Sequence, residues 1–360
     1  MVSLAVIGEP LRFLISLFSR FFKYLDILQV LVLNVYLGGL ILYVIAMVPL
    51  GLFSSVTMWV VLFFSMSFVA VKLLIKRFSW PEKNDILRIV VVFVIFLVAL
   101  WIQLIPVSHL VFGSVHDTSL HSLFVQVMLE NRQVPLTLQP YSPEGIVYPQ
   151  GFHAIVAYAV CVFDYLIPSA VLHITTLFSA MSVLGAYYLG KALSSKWYFA
   201  VSLAFVFAFV AEWPRSLTWG SNAFVASIPL YFVCLSFVPS LLKEKQKLNA
   251  LENIPLGILF GYLAAMHLQP YETLIASVML WWLINIAKRK RNVLSQLKCM
   301  LLIILTSMIP IGPFYYRGLV WYPYPYHNIG LPADIEFTIP HQEFFQVLFD
   351  NISWFWNNLS

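Results

Sequence analysis

Charge is scarce in this sequence. Asp, Glu, Lys and Arg make up 10% of its 360 residues, while 61% belong to the apolar set and the mean hydropathy is +0.86. An ordinary soluble domain carries about 25% charged residues, so a soluble globule is excluded, and the soluble enzyme folds with it. Length alone would admit two domains. Apolar runs long enough to cross roughly 30 Å of hydrocarbon recur along the chain, however, and favour one polytopic helical domain. The net charge is +5, but the cations stand in short clusters between apolar runs instead of forming a solvated patch, so nucleic acid is not an expected partner. Cysteine is scarcer still. Cys161, Cys234 and Cys299 lie in or beside apolar segments without metal-ligand spacing, which argues against a zinc site or a disulfide framework and leaves them as small packing residues. The first 24 residues mix Phe and Leu with Arg12, Arg20 and Lys23 and lack a small-residue cleavage site. They read as an amphipathic interfacial helix, not a leader.

What the chain has in abundance is membrane-length hydrophobicity. Nine runs qualify as spans, at 27–50, 56–71, 89–110, 171–190, 198–211, 223–242, 254–268, 271–287 and 300–316. A tenth run, 152–167, is short, contains Asp164 and ends at Pro168, so it is expected to lie at the interface or to be re-entrant. With the N-terminus inside and nine crossings, every Lys and Arg except Arg132, Arg215 and Arg317 falls on the inner side, as the positive-inside rule requires. Letting 152–167 cross would invert all the later loops. The same topology gathers all eight histidines at the outer face, together with most of the acids. The expected organisation is therefore an interfacial helix and three spans over 1–110, a first outer loop over 111–170, the remaining bundle over 171–316 and an outer segment over 317–360.

The first outer loop is the most informative region. Leu120, Leu123, Phe124, Val127 and Met128 recur at helical spacing, which predicts an amphipathic helix over 118–131. Ser114 or Asp117 is suited to cap its start. An aromatic, Pro-rich stretch follows, closing with Tyr148-Pro149-Gln150-Gly151-Phe152-His153, and leads straight into the short run after it.

This order of parts resembles the GT-C superfamily of membrane glycosyltransferases, which includes protein O-mannosyltransferases and oligosaccharyltransferase catalytic subunits. In that family a span is followed by an acidic residue, a juxtamembrane helix, a Tyr-Pro-x-Gly-x-His-like stretch and a second juxtamembrane helix. The matching parts here are Asp117, the helix 118–131, Tyr148 to His153 and the helix beyond. Many relatives carry a second acid beside the first, where this chain has His116, and most relatives are longer. The resemblance implies an all-α GT-C-like bundle that transfers a sugar from a polyprenyl-phosphate carrier, such as dolichyl phosphate, to a glycan, lipid or protein acceptor at the outer face.

Such a transfer needs a carboxylate to take the acceptor proton and positive charge to stabilise the departing lipid phosphate. Asp117 is the expected base, with His153 beside it in the catalytic set because it belongs to the matching stretch. His116, His121, Glu144, Tyr148, Arg215, His267 and Glu272 are the expected substrate-binding residues. Arg215, between Trp213 and Trp219, suits the phosphate, or equally an interfacial anchor. His267 and Glu272 bracket a short outer turn, where an ionisable pair reads as functional or as a capped turn in water. A divalent cation, magnesium or manganese, would find oxygen and nitrogen ligands in Asp117, His121 and Glu144. Asp117 and His121, four residues apart, are spaced to bond each other. Two other classes fit the composition: a secondary transporter, which should show mid-span charges and internal repeats, and a non-catalytic membrane subunit of a glycan assembly complex. No repeat is visible, and the mid-span regions are nearly free of charge.

Overall fold

The computed structural model describes residues 1–19, 22, 25–75, 83–108, 110, 116–141, 146, 148–209, 221–241, 250–287 and 293–321. Among the described residues every regular element is a helix. In chain order they are α1 (Val2–Phe18), α2 (Ile27–Met47), α3 (Ser55–Ile75), α4 (Lys83–Leu104), α5 (His116–Asn131) and α6 (Gly151–Phe163). They continue with α7 (Ile167–Leu193), α8 (Trp197–Phe209), α9 (Asn222–Leu241), α10 (Ala250–Met266), α11 (Leu268–Ala287) and α12 (Val293–Trp321). The all-α expectation holds, and each of the nine expected spans overlaps a helix. Five stretches are long and apolar enough to cross a membrane: Ile27–Met47, Ser55–Ile75, Ile86–Leu104, Ile167–Leu193 and Asn222–Pro239. By length and composition these suit a multi-pass membrane protein.

The chain divides into two compact units, Met1–Pro135 with Pro149–Ile311, and Leu136–Tyr148 with Gly312–Ser360. In the second, the N–H groups of Ile146 and Tyr141 donate to the carbonyls of Leu136 and Leu138, both at 2.9 Å, around a cis Gln139–Pro140 bond.

The centre of the first unit is built on α2, α6, α7 and α9. A capping box starts α2: the Asp26 carboxylate accepts from the Gln29 N–H at 2.9 Å, and the Gln29 side chain accepts from the Asp26 N–H at 3.1 Å, which satisfies two otherwise orphaned donors. Asp26 also accepts from Lys191 near the end of α7, at 2.8 Å. Higher up, the Tyr36 ring packs edge-on against Phe178, so α2 and α7 run antiparallel. The Tyr36 hydroxyl donates to the Ala226 carbonyl of α9 at 2.9 Å. At Gly185 of α7 a Cβ would lie 2.9 Å from Pro229; glycine is what lets these two helices approach to that distance.

Read from sequence as an interfacial helix, α1 runs antiparallel along α2. Added Cβ atoms would overlap the Asn34 carbonyl at Gly8 and the Leu4 carbonyl at Gly38, so the two backbones touch. Its polar residues Glu9 and Arg12 are turned into the packed interior, not toward water.

With 13 residues α6 is about 20 Å long, short of roughly 30 Å of hydrocarbon, and the described part of α8 is no longer than that. Ten residues of α6 are buried, against α2, α3, α5, α7, α9 and α10. It ends at Asp164, which adopts the left-handed conformation (φ 53°) while its N–H reaches the Val160 carbonyl, one of the few non-glycine side chains that tolerate that region.

Candidate functional site

The helix predicted in the first outer loop forms as α5. It starts at His116, so Asp117 lies inside the first turn, not at the cap. The side chains of His116 and Asp117 lie outside the described residues, as do Glu144 and Arg215. At its other end, Arg132 takes a left-handed conformation (φ 54°), and its carbonyl accepts from the Phe53 N–H at 2.9 Å. The Val134 N–H reaches the Ala46 carbonyl at 2.7 Å. These bonds pin the end of α5 to the last turn of α2 and the segment that enters α3, and they give exposed Arg132 a structural role.

Burial of α5 extends beyond the expected apolar stripe. Phe124, Val127 and Met128 are buried as their spacing predicts, but so are Thr118, His121, Ser122 and Val125, whereas Leu120 and Leu123 are only half-buried. The helix is enclosed on a polar side as well as an apolar one.

That polar side meets α6. The Nδ1 of His121 and the Nε2 of His153 lie 2.8 Å apart, with the rings 1% and 0% exposed. Phe124 presents an edge-on contact to the His153 ring and Phe152 to both rings. One imidazole must donate and the other accept. Burial, and then the neighbouring His121, push His153 well below the ordinary histidine range, against the opposing effect of a bond to the Pro149 carbonyl. His153 is therefore neutral at pH 7.

Two further contacts fix the assembly. The Asn222 amide, the first residue of α9, donates to the Thr118 hydroxyl at 3.1 Å, and both residues are fully buried. Where α6 begins, a Cβ at Gly151 would lie 2.8 Å from the Ala265 carbonyl of α10, so the glycine of the Tyr-Pro-Gln-Gly-Phe-His stretch seats the first turn of one helix on the last turn of another. Half-buried His267 follows directly. Its ring stands edge-on to Phe224, at 5.4 Å, and its Nδ1 accepts from the Gln269 N–H. The structure thus joins His121 to His153 and sets His267 apart from them, against Phe224 of α9. Glu272 is exposed on α11, and half-buried Tyr148 belongs to the second unit.

Sequence reasoning missed Thr118 and Asn222. The Gly220-Ser221-Asn222 run signals a helix start, and an asparagine there reads as an ordinary cap; its partner, 104 residues earlier, leaves no mark in local spacing. Among the described residues no three His, Cys, Asp or Glu side chains come together. Of the expected cation ligands they include His121, whose Nδ1 is engaged by His153.

Compared with protein-family profiles, curated proteins and solved structures, the chain matches none.

Proposed function

We propose that this chain is an integral membrane glycosyltransferase of the GT-C type, with nine spans, the N-terminus inside and its site at the outer face. The observation that carries the reading is the His121–His153 contact: the two segments singled out by the resemblance, 32 residues apart, meet through buried side chains at 2.8 Å. An amphipathic loop helix with no task beyond covering the bundle would need no such polar seat.

In this reading Asp117, one turn ahead of His121, is the catalytic base. It takes the proton of the acceptor hydroxyl as the new bond forms from the acceptor oxygen to the anomeric carbon, and the bond from that carbon to the phosphate oxygen breaks. The polyprenyl phosphate leaves with the electron pair, and Arg215 and the other outer cations stabilise it. His153, fully buried and bonded to His121, acts in this reading on the base and not on the substrate. It is a positioning residue that holds α5 through His121, and Asn222 does the same through Thr118. A fixed first turn matters because small displacements of a catalytic group cost large factors in rate.

The test is transfer of labelled sugar from a polyprenyl-phosphate donor by the purified chain, with and without magnesium or manganese. Turnover that falls by at least about a hundredfold in Asp117→Asn supports the assignment. Donor binding without turnover would point to a partner-dependent subunit, and absence of binding as well to transport.

A further inference from the structure

A second buried polar set lies well away in sequence from the loop that carries α5 and α6, and the proposed transfer does not use it. The Glu9 carboxylate of α1 accepts from Arg12 twice, Nε to Oε2 at 2.8 Å and Nη2 to Oε1 at 2.7 Å. It also accepts from the Asn34 amide of α2 at 2.6 Å and from Lys72 of α3. Burial alone would raise its pKa, but the bonds from Arg12, Lys72 and Asn34 outweigh that and hold it at about 2, so it is ionised throughout the physiological range.

The stoichiometry is uneven. One carboxylate, its four acceptor positions filled, faces two cations. Arg12 spends one more hydrogen on the Phe22 carbonyl, at 3.4 Å. The remaining Arg12 and Lys72 hydrogens are donors, and the cluster keeps one net positive charge in surroundings where the side chains of Glu9, Arg12 and Lys72 are only 9%, 11% and 25% exposed. Lys72, the most open of the three, stands one turn from the end of α3. In sequence, Lys76 and Arg77 follow it, and Arg20 and Lys23 follow α1. A donor-rich, net cationic set at the end of a membrane helix, continued by further basic residues, matches an anion with several acceptor oxygens held at the bilayer surface.

We propose that the Glu9–Arg12–Lys72 cluster seats the phosphate of an anionic membrane phospholipid, with Lys72 as its contacting residue. The proposal is independent of the transferase reading. Glu9 orients the two cations and limits how tightly they hold the lipid.

The test uses the full chain in nanodiscs of phosphatidylcholine containing a minority of phosphatidylglycerol, with retained lipid counted by native mass spectrometry after extraction into neutral detergent. The wild type should retain phosphatidylglycerol preferentially. Lys72→Met should reduce that preference by about fivefold, Lys72→Arg should keep it, and Glu9→Gln should strengthen it by releasing both cations. A purely structural cluster would instead leave phosphatidylglycerol retention per folded molecule the same in the wild type, Glu9→Gln and Lys72→Met, with loss of fold reported separately by melting in detergent. Lys72→Gln retains a hydrogen bond without the charge and serves if the Met variant does not fold. The proposal is overturned if the wild type shows no preference, if the neutral Lys72 variants keep it, or if inorganic phosphate displaces the lipid.

Discussion

The His121–His153 pair and the Glu9 cluster both take polar groups out of water inside an apolar bundle, and they do so by opposite means. The histidines share one ring-to-ring hydrogen bond within a cage of phenylalanine edges. The Glu9 cluster stays ionised, and its carboxylate collects donors from three helices. A single imidazole hydrogen bond holds weakly; an ion cluster holds strongly only while every member is present. The difference suits the work proposed for each, one positioning a loop helix over a site and the other holding two cations of α1 and α3 ready for a lipid phosphate.

Breaking the ionic set should have the largest effect. Glu9→Ala leaves two partly buried cations facing each other and should cost about 3–5 kcal/mol, measured by denaturant titration in mixed micelles. Replacing Glu9, Arg12 and Lys72 together by Met, Leu and Met should recover most of that loss, because no charge is then left unpaired.

Acid should separate the two regions. The Glu9 pKa lies below its ordinary value of 4.5, at about 2. Its contribution, roughly 3 kcal/mol, is therefore fully present above about pH 4.5 and is lost as the pH falls toward 2. His153 is also held below its ordinary value, 6.5. The stability tied to its neutral form is present above that pH and starts to fall once the pH drops below it. Protection of α5, as exchange corrected for its intrinsic fall in rate with acid, should thus start to decrease once the pH drops below 6.5 while α1 remains protected. The reverse order would break the comparison.

A smaller loss, about 1–3 kcal/mol, is expected for His121→Leu or His153→Leu, because each leaves a buried ring nitrogen without its partner. The double replacement should cost less than the sum of the two, and the shortfall measures the pair. Gly39 sits where α2 meets both α6 and α10, and a Cβ there would strike the Tyr262 hydroxyl and lie 2.9 Å from Ile155. Gly39→Ala should cost about 1–3 kcal/mol by overpacking, and Tyr262→Phe in the same chain should relieve part of it.

Much of the fold was legible because span length and helical spacing are local properties. Five of the nine apolar runs fall in helices long and apolar enough to cross a membrane, and the helix after His116 forms where its spacing places it. Side-chain pairing across distance does not. His121 and His153 each stood out by residue type, yet nothing in a 32-residue separation says that the rings touch. The first 24 residues read as an interfacial helix, and nothing local marks Glu9 as bonded, since its partners Asn34 and Lys72 lie 25 and 63 residues away. Gly151 was visible as part of a motif, but its reason, the Ala265 carbonyl beneath it, is a tertiary one.

The central claim is that chemistry belongs to the α5–α6 region and support to the opposite end of the bundle. Its most direct test is sugar transfer from a labelled polyprenyl-phosphate donor, measured per folded molecule for the wild type, Asp117→Asn and Lys191→Gln. Lys191 lies in the half-exposed ion pair with Asp26, far from α5. The account predicts turnover in the wild type and Lys191→Gln and its collapse in Asp117→Asn. Turnover that survives in Asp117→Asn would contradict it.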